Sequence, residues 1–359
     1  MQSDRVLHPK RCAIRIETDQ GITGECVGPL VVAARQVDLL AAHLLGADPL
    51  AREPLYHAMR LSLAQHDGTG VGLVDIALWD LAGKFYDAPI YDLLGGRHRP
   101  LKAYASTYPG DRAGGSLHTP QAFGEFAIQC RDLGYQGFKI HSWVDDVDIA
   151  EEVATVLAVR EAAGPDMDLM IDPAGVYRTF ADMLRVGRAL DDANYCWYED
   201  PYRDLGGATA SHQKLRQLIR TPLLRSDFVR GVEAQVEIMR SGSTDFGRAD
   251  AYHDGGITGA LKIARAAEGF GLDVELHSCN PAHRHLMTAL RNTNYYEMNL
   301  VHPTGDSSAF NHYLGDYRDT LDAIDANGCV FAPEGPGLGV EIDWEYIDAH
   351  RTDGKVFEQ

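Results

Sequence analysis

Gly137-Phe138-Lys139-Ile140-His141 places two basic side chains one residue apart at the end of a short apolar run. In a strand, successive side chains point to opposite faces, so Lys139 and His141 share a face and Ile140 turns away. Two neighbouring bases repel when both are protonated, so one of them gives up its proton readily. That suits proton abstraction, although a plain basic strand end would read the same way. What stands opposite the pair has to decide.

Asp172, Glu199 and Asp227 end three further apolar runs. Neighbouring parallel strands lie about 4.8 Å apart, so carboxylates at equal depth on successive strands converge on one point. Alone they would repel and raise one another's pKa values. A hard divalent cation resolves the conflict. Three carboxylate oxygens with open positions for water and substrate suit Mg²⁺ or Mn²⁺, not a thiolate-seeking metal. The competing reading is a carboxylate cluster neutralised by Arg203, Arg225 or Lys139.

Asp250 and His277 come next along the chain, again at expected strand ends. An aspartate accepting from a histidine ring N–H fixes the tautomer and raises the basicity of the other nitrogen. A lone histidine would more simply be a satisfied core residue. This one falls on the seventh strand, across the expected barrel from Lys139 and His141, so a substrate between them has a base on each face. Glu297, on the eighth strand, could donate a hydrogen bond to a substrate carboxylate if it is protonated. Glu275 faces the same interior, and the pattern gives it no role.

The elements that must carry these residues follow from periodicity. Residues 10–28 alternate around Asp19-Gln20-Gly21 like an antiparallel hairpin, and helical stretches follow at 32–45, 52–63 and 71–84. This is an α+β block. From about residue 101, short apolar runs alternate with amphipathic helices. The strand candidates are 101–107, 137–141, 169–172, 195–199, 223–227, 250–254, 274–278 and 295–298. Eight such units predict an α/β fold, a modified TIM (β/α) barrel, with the active site at the C-terminal strand ends. A doubly wound sheet would show a Gly-rich phosphate loop after its first strand, and none is seen. The expected division is an α+β capping domain over 1–100, the barrel over 101–330, and a C-terminal return to the cap over 331–359.

Bulk properties narrow the function class. A net charge of −19 over 359 residues argues against nucleic acid as a partner. No apolar window reaches the roughly 18 residues of a membrane span, and Met1–Arg5 lacks a secretory signal's basic start and apolar run. Six scattered cysteines without a CxxC pair read as free thiols of a reducing compartment. The expectation is a cytoplasmic protein with a small-molecule substrate.

Several segments resemble the enolase superfamily, mandelate racemase subgroup. They are Asp75–Lys84, Leu93-Leu94-Gly95-Gly96, Gly137–His141, Trp197–Pro201, and Asp250 followed by Gly255-Gly256-Ile257-Thr258, with the tail Gly335–Glu341 similar to the subgroup's sugar-acid dehydratases. The resemblance implies one Mg²⁺ held by Asp172, Glu199 and Asp227, an Asp250–His277 dyad, Glu297 as the electrophilic residue, and Lys139 and His141 in the place of a Lys-x-Lys pair. It also implies a homo-oligomer. The general logic of such sites, a Lys or His base with Mg²⁺ stabilising an ene-diolate, is well established for the superfamily. Three departures stand out. His141 replaces a lysine, Asp227 follows Ser226 where Gly-Glu is common, and Ala174 stands where Asn often follows the first ligand.

The resulting expectation is an acid-sugar dehydratase acting on an aldonate or aldarate through an enediolate to give a 2-keto-3-deoxy acid. A racemase or epimerase of a 2-hydroxy acid on the same site is the alternative, and a non-catalytic relative is more remote. Substrate specificity is expected from the cap near Val27–Val32 and from Ser278–His285.

Overall fold

The computed structural model describes residues 10–29, 31–66, 68–111, 115–143, 147–203, 207–305 and 312–358. Strands β1 (Arg11–Glu17) and β2 (Thr23–Pro29) pair antiparallel, as the alternation predicts, and Thr18 and Ile22 close the turn by a backbone bond. Helices α1 (Val31–Leu44), α2 (Arg52–Ser62), α3 (Thr69–Phe85) and the single turn α4 (Ile90–Leu93) follow. Every residue of α3 from Thr69 to Gly83 is buried. The helix has few charges because it packs against β2 and α1 on the cap side and against a barrel helix, Gly256–Phe270, on the other.

The barrel strands are β3 (Leu101–Gly110), β4 (Gly137–Trp143), β5 (Asp168–Asp172), β6 (Trp197–Glu199), β7 (Leu223–Leu224), β8 (Gly247–Ala249), β9 (Val274–Leu276) and β10 (Tyr296–Val301). A parallel ladder runs β10-β3-β4-β5-β6-β7, and β8 pairs parallel with β9. The last barrel strand lies beside the first, which is the closure of a barrel. Single backbone bonds, Asp245 N–H to Leu223 and Val274 N–H to Asn292, continue the wall where the ladders stop.

Helices α5 (Pro120–Leu133), α6 (Ile149–Ala163), α7 (Phe180–Asp192), α8 (Thr209–Arg216), α9 (Val232–Ser241), α10 (Gly256–Phe270) and α11 (Pro281–Ala289) fill the intervals. Thr119, Asp148 and Asn280 accept N-terminal helix amides, and Thr179 with Asp182 forms a reciprocal capping box.

After β10 come β11 (Tyr313–Leu314), β12 (Cys329–Val330), β13 (Glu341–Ile342) and α12 (Trp344–His350). β12 lies antiparallel on the start of β3 and closes the lower end of that strand. The tail then reaches the N-terminal block. Ile90 N–H donates to Gly337, Leu338 N–H to Asp80 Oδ1 at 2.8 Å, and the Trp344 indole to Glu25 at 2.7 Å.

The sixth strand is Gly247–Ala249, not 250–254. Residues 250–254 instead make a tight turn, in which Asp254 N–H returns to the Asp250 carbonyl and the Asp254 side chain accepts the Asp250 N–H. The shift puts Arg248 inside the strand. Leu30, in the predicted specificity segment 27–32, lies outside the described residues.

The Gly255-Gly256 pair is explained by the docking of α3 on α10. Both glycines have φ of +85°, and a Cβ on Gly256 would stand 2.1 Å from Asp75 Oδ2. Asp75 needs that approach, because it accepts Thr258 N–H at 2.9 Å and the Thr258 hydroxyl at 2.6 Å. Gly256→Ala is therefore expected to destabilise the protein by more than about 3 kcal/mol, since it adds backbone strain to a broken buried hydrogen-bond pair. Urea unfolding of the two proteins checks this.

Candidate active site

The barrel interior is stacked in layers. Trp197, Tyr295, Tyr104, Met170 and Leu224 form an apolar floor, with Phe246 against it. One layer higher, alternate strands β4, β6, β8 and β10 contribute Lys139, Glu199, Arg248 and Glu297, one residue each. A TIM barrel normally fills such a layer of four with branched aliphatics. Here all four are charged, and they are 0%, 0%, 2% and 1% exposed.

Their contacts close a ring of alternating sign. Lys139 Nζ is 3.0 Å from Glu199 Oε2 and 2.8 Å from Glu297 Oε1. Arg248 Nη2 is 2.5 Å from Glu199 Oε1 and 3.8 Å from Glu297 Oε2. Burial works against the Lys139 ammonium, but Glu199 and Glu297 outweigh it and hold the proton firmly. Burial likewise works against ionised Glu297, and Lys139 and Arg248 overcome it, so its carboxyl sits well below the usual range. Glu297 also accepts Ser278 N–H at 2.6 Å, and its two cationic neighbours favour its ionised form.

Above the ring, Asp172, Glu199 and Asp227 each offer a carboxylate oxygen within 4.8 Å of the others. Asp172 Oδ1 accepts Ala174 N–H. Asp227 Oδ1 accepts Arg248 Nε at 2.5 Å. The fixed cations on the cluster are therefore Lys139 and Arg248, with the titratable His277 ring also against Asp227, while Arg225 donates to Ser243.

The donor set fits a hard divalent cation. The oxygens already converge, all three side chains are carboxylates, and no thiolate is among them. The charge count agrees. Asp172, Glu199, Asp227 and Glu297 face two fixed cations, Lys139 and Arg248, which leaves a deficit of two charges that one divalent ion would cancel.

A histidine flanks the cluster on each side. His141 Nε2 is 3.2 Å from Asp172 Oδ2, and its Nδ1 lies 2.6 Å from the Thr107 carbonyl, so Nδ1 carries a proton and donates it there. His277 Nε2 is 3.3 Å from Asp227 Oδ2, and its Nδ1 is 2.7 Å from Asp250 Oδ2. The rings are anchored alike but by different acceptors, one a neutral carbonyl and the other a carboxylate. Burial lowers the His277 pKa, but Asp227 and Asp250 outweigh it and raise it to about 9. These two carboxylates favour the charged form of the ring. Asp250 is itself fixed by the Tyr252 N–H, and Tyr252 reaches the cap through its hydroxyl bond to Val27.

The mouth is strained where these residues sit. Ala174, Asp200, Ser226 and Ser278 have φ of 50°, 26°, 99° and 70°, and each lies within two residues of a site residue. Ala174 occupies a left-handed position that favours Asn, so the alanine costs on the order of 1 kcal/mol there. Asp200 accepts Ser226 N–H at 2.8 Å and Asp227 N–H at 2.9 Å, which holds the shorter Asp227 side chain in place.

Sequence reasoning missed Arg248, Asp200 and His253, whose Nε2 lies 3.9 Å from Asp250 Oδ2. Arg248 precedes Asp250 by two and so faces the same side, a signal hidden by placing the strand too late. Glu275 now has a structural account. It pairs in register with Arg248, and accepts from Asn294 at 2.7 Å and from Tyr295 N–H.

Comparison with known proteins places this architecture. Residues 6–95 match the mandelate racemase / muconate lactonizing enzyme N-terminal domain, and residues 122–346 match the enolase C-terminal domain-like family. The chain belongs to the enolase superfamily, in the mandelate racemase subgroup. It is 28% identical over 367 residues to D-galactarolactone cycloisomerase of Agrobacterium fabrum, covering 98% of this chain and 93% of that one. Identity to D-galactonate dehydratase of Cronobacter sakazakii is also 28%, over 96% and 91% of the two chains. The crystal structure of D-glucarate dehydratase from Agrobacterium tumefaciens complexed with magnesium superposes with a TM-score of 0.84 at 31% identity, covering 94% and 90%. The resemblance and the fold read from the sequence both hold. No helix among the described residues is long and apolar enough to cross a membrane.

Two outcomes follow from the supporting groups. Asp200→Ala leaves one buried and one part-buried backbone N–H without its acceptor and is expected to cost about 2–4 kcal/mol, measured by chemical denaturation. Burial pushes the Glu275 carboxyl from 4.5 up to about 7, against the Asn294 and Tyr295 bonds. The folded protein then binds this proton more tightly than the unfolded chain, so stability falls as pH rises from about 4.5 to 7. Glu275→Gln should flatten that slope, as read from unfolding midpoints across the range.

Proposed function

We propose that this protein is a Mg²⁺-dependent dehydratase of an acid sugar, an aldonate or aldarate, yielding a 2-keto-3-deoxy acid. The observation that carries the reading is the pair of oppositely placed histidines, one fixed by a carbonyl and one by a carboxylate, on either side of the three-carboxylate cluster. The dehydratase relatives, and a magnesium-complexed structure among them, support it. So does the hard-oxygen donor set.

Asp172, Glu199 and Asp227 would hold the metal, and its charge would stabilise the enediolate that develops when the α-proton leaves. Lys139 lies within the same charge field and offsets the substrate carboxylate. His141, its Nδ1 committed to Thr107, presents Nε2 as the base that takes the α-proton. His277, charged and held by Asp250, protonates the β-hydroxyl, which leaves as water. The resulting enol becomes the 2-keto-3-deoxy acid on gaining a proton at C3. Glu297 keeps Lys139 and Ser278 in place. In this reading 1–100 and 331–359 form the cap over the 101–330 barrel, and the tail contacts to Ala88, Ile90 and Asp80 support that division.

A second reading is supported by the same two histidines. With bases on both faces, proton removal on one and return on the other gives a racemase or epimerase.

An acid-sugar panel with Mg²⁺ tests the proposal, and a 2-keto-3-deoxy product from at least one member is the expected result. Epimer formation in D₂O, with deuterium at the α-carbon and no loss of water, would favour the second reading instead. For the dehydratase, His277→Asn is expected to lower kcat by about 10²–10⁴-fold. A panel without turnover would count against both readings.

A further inference from the structure

Arg248 is unlike the other charged groups of the barrel interior. It is a guanidinium, permanently charged, and only 2% exposed. It grips two of the three cluster carboxylates at once, Asp227 through Nε and Glu199 through Nη2, both at 2.5 Å. A planar fork suits such bridging, and a lysine could not do it. Its third neighbour is Glu297, at 3.8 Å, which completes the four-residue ring. Both carboxylates it holds belong to the cluster of Asp172, Glu199 and Asp227 that would take a metal.

We propose that Arg248 is a resident counter-cation of the metal site, which assembles Glu199 and Asp227 without the metal and opposes the metal when it binds. The inference rests on the proposed reading that the three carboxylates take a divalent ion. Two effects follow from one side chain. Without Arg248, the metal-free site holds crowded carboxylates with Lys139 as their one remaining fixed cation in the ring, so the folded state is penalised. With Arg248, an incoming divalent cation meets a fixed like charge beside two of its ligands, so affinity is reduced. The site is thus preformed and loosely loaded, a combination that metal ligands alone would not give. Glu297 acts in the opposite sense. As a carboxylate bound to both ring cations, it offsets their charge and favours the metal.

The test uses the full-length, chelator-treated protein and Mn²⁺, with binding read from the loss of the free Mn²⁺ electron-spin resonance signal. Arg248→Gln should bind Mn²⁺ about tenfold more tightly than wild type, because a charge is removed close to the ion. Glu297→Gln should bind it several-fold more weakly. The metal-free Tm of Arg248→Gln should fall, and saturating Mn²⁺ should restore more of it than in wild type, by linkage. Unchanged or weaker binding by Arg248→Gln would overturn the inference and leave the metal reading standing. Wild type that binds no Mn²⁺ would overturn both. Should Arg248→Gln not fold, Glu297→Gln decides: weaker binding supports the inference, and unchanged or tighter binding refutes it.

Discussion

The ring of Lys139, Glu199, Arg248 and Glu297 is the constraint on which the rest of this site depends. Four charges at one level of a barrel core would each carry a heavy desolvation cost alone. Arranged with alternating sign, each has an opposite neighbour on both sides. The arrangement also fixes what lies above it. Glu199 belongs both to the ring and to the metal-type cluster, so the ring sets the height of that cluster. Arg248 reaches up to Asp227, so it sets the lateral position of a second carboxylate. The remaining deficit of two charges is a property of the whole assembly, not of any single side chain.

The proposed chemistry rests on an asymmetry between two otherwise similar histidines. Each ring is anchored through Nδ1 and presents Nε2 to the cluster. A carboxylate anchor favours the charged ring, whereas a carbonyl anchor supplies no countercharge. In the proposed dehydration, the acid role is assigned to the ring held by Asp250 and the base role to the ring held by the Thr107 carbonyl. Strained backbone at Ala174, Asp200, Ser226 and Ser278 pins the loops that hold these groups, and bonds such as those from Asp200 maintain the strain.

Much of this was legible in the chain because period and position agree in a barrel. Lys139, Asp172 and Glu199 stand at the ends of clean apolar runs, and the fold follows from their repetition. The structure adds the capping side chains of Thr119, Asp148, Thr179 and Asn280 at the helix starts. Arg248 was not legible. Its strand is three residues long, and the Asp250–Asp254 stretch that looked like a strand is a turn shaped by two glycines at positive φ. Asp200 was hidden for a different reason. Its partners are backbone amides twenty-six and twenty-seven residues away, which no local pattern reveals. Glu297 was recognised, but its ionised state depends on Lys139 and Arg248, and so on tertiary pairing.

A crystal structure of the protein grown with Mg²⁺ and an acid-sugar ligand tests the central claim most directly. The account predicts one Mg²⁺ ligated by Asp172, Glu199 and Asp227, with the Arg248 guanidinium still against Glu199 and Asp227. It also predicts the ligand's α-carbon between His141 and His277. An ion bound elsewhere, or a ligand that approaches neither histidine, would contradict it.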